Sequence, residues 1–115
     1  FAGADASDEE NIALLLERLS DVPQEAREAW FVCVIVALRS AGDPDPIIAA
    51  GHWHGRIAAA PRGEHGFGYD PVFEIPALAK TAAELDPDVK AARSHRGQAT
   101  RQLLEIWSER AVAAR

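Results

Sequence analysis

Gly66-Phe67-Gly68-Tyr69-Asp70-Pro71 sets two aromatic rings and a carboxylate among glycines. Neither Gly66 nor Gly68 carries a Cβ, so the backbone there can approach a ligand closely. Phe67 and Tyr69 are two apart, and on an extended segment their rings project to one side. Asp70 precedes Pro71, which disfavours the helical region for it and is expected to hold it extended. An aromatic face beside a fixed carboxylate suits a planar, hydrogen-bonding heterocycle: Phe67 stacks, and Asp70 accepts from an N–H at the edge. The same residues also read as a glycine-rich turn leading into a strand, with Asp70 capping the turn through backbone amides. Downstream, Lys90 and Ser94-His95-Arg96-Gly97 offer cationic donors. A bent helix could aim Lys90, His95 and Arg96 at one point, although a solvated helix face is the usual fate of such residues.

Taken in order, Phe67-Gly68-Tyr69-Asp70-Pro71, Lys80-Thr81-Ala82-Ala83-Glu84-Leu85, Lys90 and Ser94-His95-Arg96-Gly97 resemble the C-terminal half of a known enzyme family. These are the pyrophosphatases of non-standard purine nucleoside triphosphates, the inosine/xanthosine triphosphate or dITP/XTP pyrophosphatases. The resemblance runs from the Gly3-Ala4-Asp5-Ala6 region and Asn11, through the apolar run at 31–38 and Gly51-x-x-x-Gly55, to the last helix. It implies an α/β fold, a mixed twisted sheet flanked by helices, in a two-lobed parent with a nucleotide cleft. It also implies hydrolysis of ITP, dITP or XTP to the monophosphate and pyrophosphate, Mg²⁺ as cofactor, and a homodimer. Its substrate-binding residues fall here on Phe67, Gly68, Tyr69, Asp70, Lys90, His95 and Arg96.

The family's Ser/Thr-x-Asn-x-x-Lys triphosphate loop, metal-binding glutamate and Asp-Ser-Gly turn do not occur in this sequence. Residues 1–115 are therefore expected to be the C-terminal part of a single nucleoside triphosphate pyrophosphatase domain. Catalytic and metal-binding residues are then expected in a missing N-terminal segment, with none in this chain, which alone would be inactive. The alternative is a non-catalytic fragment acting as an oligomerisation or interaction module.

The resemblance gives the cations a selective role. Inosine and xanthosine expose a 6-oxo acceptor where adenosine exposes a 6-amino donor, and lysine and arginine have donors but no acceptor. A pocket lined by Lys90 and Arg96 would bind the first and leave the second facing an unpaired donor.

Composition bounds the class. At 115 residues, 48% hydrophobic and 26% charged, the chain is one domain's worth of globular protein. Residues 1–29 carry eight acids and two bases, residues 80–115 five acids and seven bases, within a net charge of −6. Nucleic acid is a poor partner for such a balance, whereas a basic patch in the last third suits one small anion. No apolar run approaches the ~18–20 residues of a membrane span. The single Cys33 leaves no internal disulfide, which fits a reducing, cytoplasmic location. His52 and His54 share a strand face, but two ligands are weak evidence for zinc.

Several elements must position these residues. Ser7 and Glu10 form a capping-box signature, and Ile12, Leu15, Leu16 and Leu19 give one helical face ending near Ser20. Residues 30–38 are uninterruptedly apolar, which predicts a strand buried on both sides in the middle of a sheet. Asp43-Pro44-Asp45-Pro46 is a turn into a second strand from Ile47, continuing with a kink or bulge through Gly51–Ile57. A loop at 61–66, a strand at 72–75 and a helix from about Thr81 follow. Asp86-Pro87 opens another helix, and the last helix presents Ala99, Leu103, Ile106 and Trp107 on one face.

Overall fold

In the computed structural model, which describes residues 1–113, the chain forms seven regular elements. They are α1 (Asp8–Arg18), β1 (Glu28–Ala37), β2 (Ile47–Ile57), β3 (Phe73–Ile75), β4 (Lys80–Thr81), α2 (Pro87–Arg93) and α3 (His95–Ala113). Single 3₁₀ turns occupy Gln24–Ala26, Asp70–Val72, Pro76–Leu78 and Ala82–Glu84. The strands form a sheet in the order β1-β2-β3-β4, so the α/β class read from the sequence holds. β3 runs antiparallel to both neighbours, with Arg56 opposite Glu74 and Glu74 opposite Thr81. Along β1 and β2 the partners run in opposite senses: Ile57 N–H donates to Arg27 O (2.9 Å), and the Trp30 ring lies 5.7 Å from that of His54. Among the described residues no helix is long and apolar enough to cross a membrane.

The chain divides into two compact units, one built from Phe1–Trp30 and His54–Asp86, the other from Phe31–Trp53 and the residues from Pro87 onward. In the first, Ser7 caps α1 with the full capping box that its spacing to Glu10 predicts, and Asp8, Glu9 and Glu10 load the first turn with acid. That is the charge a helix start favours. Ile12 is buried, and so are Ala58, Val72, Phe73, Ile75, Ala82, Ala83 and Leu85. The helix expected from Thr81 is only the turn Ala82–Glu84, again capped by a reciprocal Thr81–Glu84 pair. Leu85 is extended (ψ 145°), and Pro87 biases Asp86 away from helix, so the turn cannot propagate. α2 then starts at Pro87, as Asp86-Pro87 predicts.

In the second unit, α3 runs along the edge of β2. Gln98 and Gln102 are four apart on α3; their side-chain oxygens accept from the N–H groups of His52 (3.2 Å) and Ala50 (2.7 Å). Ladder groups that have no strand partner are thus satisfied by helix side chains. Ile47, Ala49, Gly51 and Trp53 alternate as the buried face of β2. Gly51 is placed so tightly that a Cβ would overlap the His95 carbonyl oxygen and come within 2.9 Å of Ala99 N.

Two expectations are corrected here. β1 is an edge strand of this sheet, not a middle one, and is not buried on both faces. Val32, Val34 and Val36 are about half exposed (48%, 57% and 55%) while Phe31, Cys33 and Ile35 are half-buried. An apolar run tells that both faces avoid water, not that this chain covers both. In α3, Ala99 is buried and Leu103 and Ile106 half-buried, but Trp107 is exposed, having drifted off the stripe that faces the sheet.

Candidate functional site

The Gly66–Asp70 segment is a tight loop, not the extended stretch its Pro71 predicts. Gly66 and Gly68 take φ of 91° and 61°, a left-handed region open to residues without a Cβ. Asp70 begins the Asp70–Val72 turn with Pro71 early in it, where its missing N–H costs nothing. The buried Asp70 carboxylate folds back to accept from Phe67 N–H (3.2 Å), and Asp70 N–H donates to Phe67 O (3.2 Å). Asp70 therefore performs the turn-capping role that competes with base contact in the sequence. Phe67 and Tyr69 do not share an extended face: Phe67 is 61% exposed and Tyr69 is half-buried. Gly66, Phe67 and Gly68 rim a cavity of about 550 Å³ whose opposite wall is α1, through Asp8, Ile12 and Leu16. That volume is within the ~300–1,000 Å³ usual for small-ligand sites.

Behind this loop lies a scaffold that sequence spacing does not reveal. Arg62 N–H donates to Pro71 O (2.9 Å) and His65 N–H to Ala83 O (3.0 Å). Gly63, at φ 94°, packs so closely that a Cβ would lie 2.5 Å from the Ala83 carbonyl carbon. The Arg62 guanidinium reaches Glu74 (2.7 Å) and Glu84 (3.1 Å), and Arg56 meets the other oxygen of Glu74 (2.5 Å). These bonds, Arg62 first and Arg56 second, hold the buried Glu74 carboxyl below the usual carboxylate range. Glu84 is lowered by the Thr81 backbone N–H and then by Arg62.

A depressed folded-state pKa contributes stability above the unfolded value, about 4.3 for glutamate. That contribution is lost as pH falls through the lower folded-state value. Glu74→Gln is expected to cost about 1–2 kcal/mol at pH 7, allowing for guanidiniums that are partly exposed. The deficit should shrink towards pH 3, because protons bind the glutamate of the unfolded chain before that of the folded one. Urea midpoints at the two pH values check this; a deficit that stays constant contradicts the assignment.

Lys90 lies in α2, and His95 and Arg96 open α3, with Ser94 as the break between the helices. Ser94 N–H donates to Lys90 O (2.8 Å), and the Ser94 hydroxyl accepts from Gly97 N–H (3.1 Å), which knits the junction together. Lys90 and His95 are half-buried and Arg96 is exposed. The His95 ring stacks on Phe31 at 4.9 Å. α3 has no acid in its first turn and carries His95 and Arg96 there, the reverse of α1. A cation at a helix start forgoes a few tenths of a kcal/mol, and such local violations gather where a site attracts an electronegative group.

The fold thus brings Phe67, Gly68, Tyr69 and Asp70 into one loop of the first unit, and Lys90, His95 and Arg96 into one helix junction of the second. Sequence reasoning missed Arg62, Glu74 and Asp8 as supports of the loop. No group of three or more His, Cys, Asp or Glu side chains able to hold a metal ion occurs among the described residues, so the implied Mg²⁺ has no ligand set among them.

The sequence model of the Ham1 family matches residues 1–106. The chain belongs to the Ham1 family. Among its Ham1 relatives, the dITP/XTP pyrophosphatase of Halorhodospira halophila is 59% identical over 105 residues, which is 91% of this chain and 53% of that protein. The dITP/XTP pyrophosphatase of Escherichia coli K12 is 50% identical over the same shares. The solved HAM1 protein of Coxiella burnetii superposes with a TM-score of 0.88 at 49% identity, covering 94% of this chain and 55% of that one. The Staphylococcus aureus Ham1 structure gives 0.85 at 40% identity, covering 95% and 55%. The chain spans about half the length of the curated relatives it matches.

Proposed function

We propose that the protein hydrolyses dITP, ITP and XTP to the monophosphate and pyrophosphate, in the cytoplasm, and that this chain supplies its base-recognition residues. The observation that carries this is the 59% identity to a dITP/XTP pyrophosphatase over 91% of the chain. Phe67 stacks on the purine, with Gly68 and Tyr69 shaping the loop around it and Asp70 fixing its geometry. Lys90, His95 and Arg96 supply donors to the 6-oxo group. In the reaction a water oxygen forms a bond to the phosphorus next to the nucleoside, the bond from that phosphorus to the bridging oxygen breaks, and pyrophosphate leaves. None of these steps is assigned to a metal held by this chain.

The test is pyrophosphate release by the intact protein from dITP and XTP against dATP and dGTP. Strong release from the first two supports the proposal, and no preference overturns it. The 115-residue chain alone is expected to release none above a no-protein control.

The alternative of an interaction module draws on one observation, the exposed apolar face of Val32, Val34 and Val36. That face also fits the homodimer implied by the resemblance. Sedimentation of the intact protein separates the two: an active dimer favours the enzyme, and an inactive oligomer favours the module.

A further inference from the structure

Asp8 and Gly68 are 60 residues apart, yet Gly68 N–H donates to Asp8 Oδ2 at 3.0 Å. Gly68 follows Phe67 directly and sits at φ 61°, so a bond to its N–H fixes the peptide that carries the exposed ring. Asp8 is well placed to give it. It stands in the first turn of α1, whose start is locked by Ser7 and Glu10, so its carboxylate projects from a rigid anchor. Glu10 is committed to Ser7, which leaves Asp8 to serve the loop. The opposite flank of the loop is already bound through Arg62, His65 and Thr81, and Asp8 closes the other side across the cavity that both line.

We infer that Asp8 is a positioning residue for base recognition: it latches the Gly66–Gly68 loop to α1 and so sets where the Phe67 ring stands. This rests on the assignment of Phe67 to purine stacking. A loop tip with two left-handed glycines has many conformations to lose. Holding one of them before the nucleotide arrives spares that loss on binding. The effect should therefore fall on KM and not on kcat.

The experiment uses the intact protein with Asp8→Ala, Asp8→Asn and Phe67→Ala, reading dITP kinetics and amide hydrogen exchange. Asp8→Ala is expected to lower kcat/KM about tenfold through KM, the scale of one charge-assisted hydrogen bond. Exchange should quicken in residues 62–70 and stay unchanged at 81–84. Asp8→Asn keeps an acceptor oxygen and should restore most of both effects. Unchanged kinetics and exchange in Asp8→Ala would overturn the latch. So would an Asp8→Asn variant as impaired as alanine, since that points to helix-start charge. Faster loop exchange with a kinetically silent Phe67→Ala would overturn the base-site assignment instead, reducing Asp8 to a structural tether.

Discussion

Arg96→Ala in the intact protein is expected to cut the preference for dITP over dATP about a hundredfold, because a site built to hydrogen-bond one group rejects the analogue lacking it strongly. The side chain is exposed at the start of α3, where a cation opposes the helix dipole. Removing a cation from that position eases the helix start slightly. Selectivity is expected to fall mainly through lost kcat/KM on dITP, since an arginine has no acceptor to offer a 6-amino group. Lys90→Ala should act in the same direction with a smaller effect, its ammonium being a more flexible donor. The check is kcat/KM for both triphosphates with each variant. Equal losses on dITP and dATP would move Arg96 from base selection to phosphate contact or scaffold.

Gly51→Ala should be strongly destabilising, by about 3 kcal/mol or more. The added Cβ would meet backbone of α3, at the His95 carbonyl and Ala99 N, and the Gln98 Cβ. No rotamer change can clear backbone atoms, so α3 must lift from β2. Lifting it breaks the bonds from His52 and Ala50 to Gln98 and Gln102. It also disturbs the His95 stack on Phe31, so lost activity should accompany lost stability. Gly42 is the control, because a Cβ there meets nothing within 4 Å; Gly42→Ala should stay within about 0.5 kcal/mol. Chemical denaturation of both variants decides the matter, and similar midpoints would refute the packing account.

Features written into adjacent residues were legible beforehand. The Ser7–Glu10 box, the Asp86-Pro87 start, the Asp43–Pro46 turn and the loop at 61–66 each rest on local chemistry, and each recurs in the fold. Phe67 to Asp70 were recognisable as a group, but their geometry was not. Proline before a strand suggests extension, whereas the Asp70 carboxylate reaching Phe67 N–H tightens the segment into a turn. Partnerships across long separations leave no periodic trace. Arg62 with Glu74, Gln98 with His52 and Asp8 with Gly68 could be found only once the chain was folded. Edge or centre was undecidable for residues 30–38 for the same reason, since it depends on which strands come to lie alongside.

The open face of β1 bears on how the protein is made. Trp30 to Leu38 holds neither a charge nor a proline, a composition that stacks readily into dry cross-β zippers when exposed. During synthesis this stretch is complete while β2 is still being added, and at ~5–20 residues per second it waits roughly 1–4 s for its partner strand. Glu28 and Arg39 stand at its two ends, where flanking charges act as gatekeepers against such stacking. Arg39 is tied back to Asp43 through two side-chain bonds and a backbone one, so its charge sits where the strand stops. Neutralising this pair of sentinels would send nascent chains into aggregates while leaving the chemistry of every completed molecule untouched.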